Sequence, residues 1–276
     1  HVRGGDPAGG WLDEGSADAL AARVLHATGV LDDAAYRSTL SEAASECALW
    51  LSGGEPLTAA TRPGHARALY VCGSTLSLVA EGAVRRRDRG ADLFTFWRAV
   101  FGEGTPRYDE ETFLRVLGRL GGAPPAIAAV RRLVHERQDD PTRAIRDALR
   151  LVGIDTKVTA AGPLPEDYEQ HASIPEMDAL LPRGCARALA YDGDVEVRPS
   201  VGADGACPGL ARGDVIETVA GEPVARRGAT SFERAYAGCR ERHAVDLVTA
   251  KGAHVTVPCE LQVKSAPSYF EVVSPP

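Results

Sequence analysis

The chain has 276 residues, enough for two domains with a core in each, and its 44% hydrophobic and 25% charged content is ordinary for a folded globular protein. A net charge of −7 argues against the basic face of a general nucleic-acid binder, and no run of about 18 apolar residues occurs that could span a membrane. The six cysteines lack any C-x-x-C spacing, which excludes a zinc ribbon or a thioredoxin-type motif.

The first stretch of note is Gly10-Trp11-Leu12-Asp13-Glu14-Gly15-Ser16-Ala17-Asp18-Ala19-Leu20, an acidic pair between Trp-Leu and an alanine-rich helix start. The spacing predicts a helix over 14–28, with Asp13 as its N-cap and Gly29 as its stop. A second is expected over 33–51, capped by Asp32 or Asp33, with Tyr36, Leu40, Ala43, Ala44, Cys47 and Leu51 on one face. Residues 64–87 keep helical spacing from Leu69 through Cys72, Leu76 and Val79 until Arg85-Arg86-Arg87.

Shorter helices are expected over 92–101, over 109–120 behind Asp109-Glu110-Glu111, over 125–137, and over 141–152 behind Asp140-Pro141. Residues 1–156 therefore read as an all-α domain. Trp50, Trp97 and Phe101 read as core aromatics, the arginine run as a solvated helix end, and Cys47 and Cys72 as buried free thiols. The even count leaves disulfides open, with Cys185, Cys207, Cys239 and Cys259 the first candidates. The compartment, bacterial periplasm or cytoplasm, stays open.

Pro163, Pro165, Pro175 and Pro182 punctuate residues 157–184, which read as a linker. Short β-type runs follow at 186–191, 195–201, 215–219, 244–249 and 254–259, interrupted by one helical segment at 230–242. Residues 185–264 thus make a small β-rich module, and 265–276 a C-terminal tail.

Within that module, Asp204-Gly205-Ala206-Cys207-Pro208-Gly209-Leu210-Ala211-Arg212-Gly213-Asp214-Val215-Ile216, then Val219-Ala220-Gly221-Glu222-Pro223-Val224, resembles the bacterial PDZ pattern "PA…AGLxxGDxIxxVNGxxV". Ala220-Gly221 stands where Asn-Gly usually makes the hairpin turn. The resemblance implies binding of an extended peptide as an added strand beside the 230–242 helix. The usual Gly-flanked, apolar carboxylate loop is not recognisable around Arg183-Gly184-Cys185.

The helical half resembles the C-terminal helical region of gluzincin zinc metallopeptidases, most closely the glycyl aminopeptidase family, which carries a PDZ domain at this place. Trp11-Leu12-Asp13-Glu14-Gly15 is similar to that family's "W-φ-x-E-G". Ala68-Leu69-Tyr70-Val71-Cys72-Gly73 is similar to its "Y-x-K-G", and Tyr108-Asp109-Glu110-Glu111-Thr112-Phe113 to its "Y-T-x-x-D-F". The resemblance implies that Glu14 is the third protein ligand of a catalytic zinc and that Tyr70 hydrogen-bonds the oxyanion of the tetrahedral intermediate. It also implies two histidines and a general-base glutamate on an H-E-x-x-H helix.

None of the seven histidines forms that motif. The nearest string is His135-Glu136-Arg137-Gln138-Asp139, which reads as solvated surface, and His26 and His65 are minor candidates as ligands. Cys72 stands in place of the motif's lysine, and Ser16-Ala17 in place of the aromatics that often follow "E-G". In related gluzincins the second zinc histidine precedes the glutamate by about 19 residues, which here falls ahead of His1. The expectation is a C-terminal portion of a zinc aminopeptidase, inactive and metal-free alone, with a peptide substrate and the missing N-terminal part as partners. The rival expectation is a non-catalytic peptide-binding or scaffolding protein using the PDZ-like module.

Overall fold

The computed structural model describes residues 10–60, 65–103, 108–159, 173–192, 198–224, 233–262 and 268–274, which divide into two compact units. One holds the residues up to Ala48, Glu55–Thr159, and the chain from Ser268. The other holds Leu49–Gly54 and the residues between Ala160 and Pro267.

The first unit is helical: α1 (Gly10–Ala27), α2 (Asp33–Ser52, whose last turn belongs to the second unit), a 3-10 turn at Leu57–Ala59, α3 (Arg67–Arg87), α4 (Leu93–Phe101), α5 (Glu110–Leu120), α6 (Pro124–His135) and α7 (Pro141–Leu151). Their starts follow from local chemistry. Asp32, Asp92, Asp109 and Asp140 each accept a backbone N–H three residues on, at 2.8–2.9 Å. Pro124 and Pro141 occupy first-turn positions, where a missing N–H costs nothing. Helix α1 begins four residues earlier than expected, so Asp13 lies inside its first turn and is not the N-cap.

Helix α3 is buried nearly all round from Val71 to Val84, the signature of a central helix. Around it an aromatic cluster joins α1, α4 and α5: the Trp11 and Phe113 rings are 5.3 Å apart, those of Phe96 and Phe113 4.9 Å. Trp97 belongs to this core, but Phe101 is 47% exposed, on the outer side of α4.

The predicted tail forms a strand. β8 (Tyr269–Ser274) pairs antiparallel with β1 (Asp155–Thr159), Val158 opposite Phe270 and Thr156 opposite Val272. Its other backbone groups face α2, where Phe270 N–H donates to Ser45 Oγ and Val272 N–H to Ser41 Oγ, each at 2.9 Å. Those two hydroxyls donate in turn to the carbonyls four residues back. Two serines one helical turn apart thus satisfy a strand edge that, among the described residues, has no further strand beside it.

The second unit begins within the expected linker. Residues 173–180 are helix α8 (Ser173–Leu180) and 183–188 helix α9 (Arg183–Ala188). The prolines misled because Pro175 sits in a first helical turn and Pro182 is an N-cap, places where proline starts a helix instead of breaking a chain; Pro163 and Pro165 lie outside the described residues. Helix α9 also takes the first half of the strand expected at 186–191.

The rest follows the expected order: β2 (Leu189–Asp192), β3 (Arg198–Val201), β4 (Ile216–Val219), β5 (Glu222–Pro223), α10 (Glu233–Arg242), β6 (Ala244–Thr249) and β7 (His254–Pro258). β2 and β3 form a hairpin, and the antiparallel sheet runs β5-β4-β6-β7. Met177, Leu180, Leu189, Val201, Ile216, Val219, Tyr236, Leu247 and Val257 fill one core. Ala220 and Gly221, both at positive φ (51° and 82°), make the two-residue turn between β4 and β5.

All six cysteines are paired: Cys47–Cys72 between α2 and α3, Cys185–Cys207, and Cys239–Cys259. The free-thiol expectation for Cys47 and Cys72 fails because α2 and α3 pack with these two Cα atoms 4.7 Å apart, a proximity that neither helix's own pattern reveals. Each bond closes 20 to 25 residues, worth about 3 kcal/mol in the chain-entropy view. No helix among the described residues is long and apolar enough to cross a membrane.

Three substitutions test this account. Ser45→Ala strands the buried Phe270 N–H and is expected to cost about 1–3 kcal/mol in urea denaturation, whereas Ser38→Ala, whose hydroxyl only reaches Glu42 at the surface, should change stability by less than about 0.5 kcal/mol. Ala220→Asn should raise the midpoint of the second unit by recovering part of the ~1–2 kcal/mol that an L-residue loses in the left-handed region.

Candidate functional site

The site is built where α1 crosses α3. A Cβ on Gly15 would lie 2.2 Å from Gly73 Cα, and one on Gly73 would lie 2.1 Å from the Trp11 carbonyl oxygen. Backbone touches backbone there, and only glycine fits on either side. Ser74 Oγ donates to the Gly15 carbonyl at 3.0 Å beside the contact. Eight residues further along both helices, Arg23 Nε meets Glu81 Oε1 at 3.3 Å, so the pair runs parallel in constant register.

This crossing brings Glu14, the neighbour of Gly15, to Tyr70, one turn before Gly73. The Tyr70 hydroxyl lies beside the Glu14 carboxylate, and interaction with that group, more than burial, raises the phenol's pKa above its ordinary value. Glu14 is exposed and Tyr70 half-buried. Asp18, one turn beyond Glu14, has its carboxyl raised mainly by desolvation, with Arg67 opposing and Glu14 adding to the shift. Arg67, one turn before Tyr70, grips the buried Glu46 of α2 with two bonds, Nε at 2.8 Å and Nη2 at 3.0 Å.

Asp13 faces elsewhere. It accepts the Tyr108 hydroxyl, and burial together with this carboxylate lifts the Tyr108 phenol well above its usual range. The Tyr108 ring packs 5.4 Å from Trp97 and 5.6 Å from Phe101, and Phe113 meets Trp11 in the core. The three segments 11–15, 68–73 and 108–113 therefore converge on one place.

The other sequence candidates fall outside it. His26 Nε2 lies 2.8 Å from Asp33, and His135 Nε2 2.8 Å from Glu110 across α5 and α6, both surface pairs. His65 is buried just ahead of α3. The arginine run caps neighbouring helices: Arg86 donates to the Leu151 carbonyl, and Arg87 to that of Arg119 at 2.7 Å.

Sequence reasoning missed Asp18, Arg67 and Glu46. A signal existed for two of them, since Glu14/Asp18 and Arg67/Tyr70 are spaced i,i+4 and i,i+3 and share helix faces. Nothing local announced Glu46.

As a metal centre the site is incomplete in its donors. Among the described residues no three His, Cys, Asp or Glu side chains stand together as a metal would require. Glu14 offers one carboxylate of the two-imidazole, one-carboxylate set that the resembled family uses, and by itself that does not fit a zinc ion. Compared with protein-family models and with curated proteins, the chain matches none.

Gly73→Ala is expected to lower stability by about 3 kcal/mol or more, because the clash is with backbone that cannot rotate away. Chemical denaturation of the purified variant measures it, and a loss under about 1 kcal/mol would contradict the backbone contact.

Proposed function

We propose that this chain forms one wall of the active site of a gluzincin-type zinc aminopeptidase. In this reading Glu14 is the carboxylate ligand, and the two imidazoles and the general-base glutamate come from a segment outside the described residues. The observation that supports it is the convergence of the three motif segments, with the Tyr70 hydroxyl on Glu14 at the Gly15–Gly73 contact. When bound by two imidazoles and a carboxylate, zinc supplies a Lewis acid and an acidified water.

This chain's own residues contribute a ligand and a donor. The Tyr70 phenol is kept protonated beside Glu14, the form needed to donate to an oxyanion that develops in the transition state. The Asp18 carboxylate and the Arg67 guanidinium flank that pair.

The second unit is, in the same proposal, a PDZ-type module for an extended peptide. The β2–β3 hairpin, the two-residue β4–β5 turn and helix α10 ahead of β6 support it. Where a carboxylate-binding loop would precede β2, helix α9 is bonded by Cys185 to Cys207, so a peptide C-terminus is not the favoured ligand of this copy. The three disulfides favour an oxidising compartment.

The test has two arms. The isolated chain, dialysed and assayed by atomic absorption, should retain less than about 0.1 zinc per chain and cleave no peptide, since one carboxylate cannot hold the ion. A longer product of the same reading frame, carrying H-E-x-x-H about 19 residues before Glu14, should bind one zinc and release N-terminal residues. There Glu14→Gln should lose the metal, while Tyr70→Phe should keep it and lower kcat by about 100-fold with KM nearly unchanged. An upstream frame without that motif would sink the enzyme and leave the scaffolding reading.

A further inference from the structure

Two links between α2 and α3 flank the turn that carries Tyr70. Consecutive residues of α2 make them: Glu46, 5% exposed, holds Arg67, and Cys47 is bonded to Cys72, both cysteines being almost fully buried. Their partners on α3 are five residues apart, about 7.5 Å along the helix axis. A single link would leave α3 free to pivot about it; two at that separation fix both its rotation and its rise.

The two links also act from different sides. At 100° per residue Cys72 projects from the face of α3 opposite Tyr70, while Arg67 lies on the Tyr70 side. The flank between is occupied by Gly73 against Gly15. The segment from Arg67 to Gly73 is therefore held by α2 at two points and by α1 at a third, and Tyr70 is the side chain inside that frame whose hydroxyl lies beside Glu14.

We infer that the Cys47–Cys72 disulfide and the Glu46–Arg67 ion pair are a paired positioning device that sets the Tyr70 hydroxyl on Glu14. The role of Tyr70 as a donor rests on the peptidase reading; the positioning itself does not. Arg67 and Cys72 touch no reacting atom in this account and act through Tyr70.

The experiment uses the full chain labelled with 3-fluorotyrosine, the Tyr70 resonance being assigned with Tyr70→Phe. In the otherwise unaltered chain, Glu14→Gln should shift that resonance. In the Cys47→Ala/Cys72→Ala background, and separately in Arg67→Met, the same Glu14→Gln change should shift it less than half as far. The Tyr108 resonance should meanwhile respond fully to Asp13→Asn, which separates a local loss of aim from general loosening.

An undiminished Tyr70 response in either background overturns the paired device, as does a parallel loss of the Tyr108 response. If the cysteine variant does not fold, Arg67→Met keeps the disulfide and carries the test. The measurement needs neither zinc nor substrate. The device therefore stands if the longer product binds no metal, and falls alone if zinc binds but Tyr70 is indifferent to both links.

Discussion

The helical unit depends on two glycines in backbone contact. At Gly15 and Gly73 the α1 and α3 backbones meet closely enough that no Cβ can intervene. That contact fixes which residues face each other along the whole parallel pair. Above it, Trp11 joins the aromatic cluster; at it, Glu14 and Tyr70 meet; below it, Arg23 reaches the buried Glu81. Burial pushes the Glu81 carboxyl up, and Arg23 and Arg85 oppose the shift. Such a buried pair is poor evidence of stability, but it penalises any slip in register, because a slip would leave a charge buried alone.

The remainder of the unit closes around that axis with bonds that replace missing partners. A two-stranded ribbon has two outer edges, and β8 meets α2 with one of them, where Ser41 and Ser45 take up its N–H groups. Because β8 pairs with β1, the chain leaves the helical unit at Thr159 and re-enters it opposite, at Tyr269. The residues between are mostly those of the second unit. That arrangement is an insertion, and entry and exit side by side allow the inserted module its own core and its own two disulfides.

Legibility from sequence tracked how local the determining physics is. The helices of residues 10–151 and the strands after 215 were readable, because caps, periodicity and turn residues act within a few positions: Asp109 with Thr112, or Ala220 with Gly221. Helices α8 and α9 were missed because a proline at a helix start and a proline in a linker look alike in one sequence. The β1–β8 pairing and the Cys47–Cys72 bond were not legible, since each joins segments whose own patterns are complete without the other. At the site, Glu14 and Tyr70 were readable only through motif resemblance, whereas the reason they meet, glycine against glycine, is visible only in three dimensions. The glycine of each motif turns out to be the other motif's neighbour.

The acidic pair at the start of α1 shows how one turn of helix can separate structural from chemical work. Asp13 and Glu14 are adjacent in sequence, yet about 100° of helical rotation sends them to different surroundings. Asp13 is turned to Tyr108, beside the Trp97 and Phe101 rings, where it anchors the segment ahead of α5. Glu14 is exposed and lies beside the Tyr70 hydroxyl. Glu14 is thus a carboxylate beside a rigid backbone contact, next to a phenol and open to solvent. Its half-buried neighbour acts as a bolt. If the two were exchanged by a one-residue slip of α1, Gly15 would leave Gly73 and a side chain would have to enter a space of about 2 Å. The fold therefore forbids the exchange sterically, and which of the two carboxylates lies beside Tyr70 is set by packing and not by acidity.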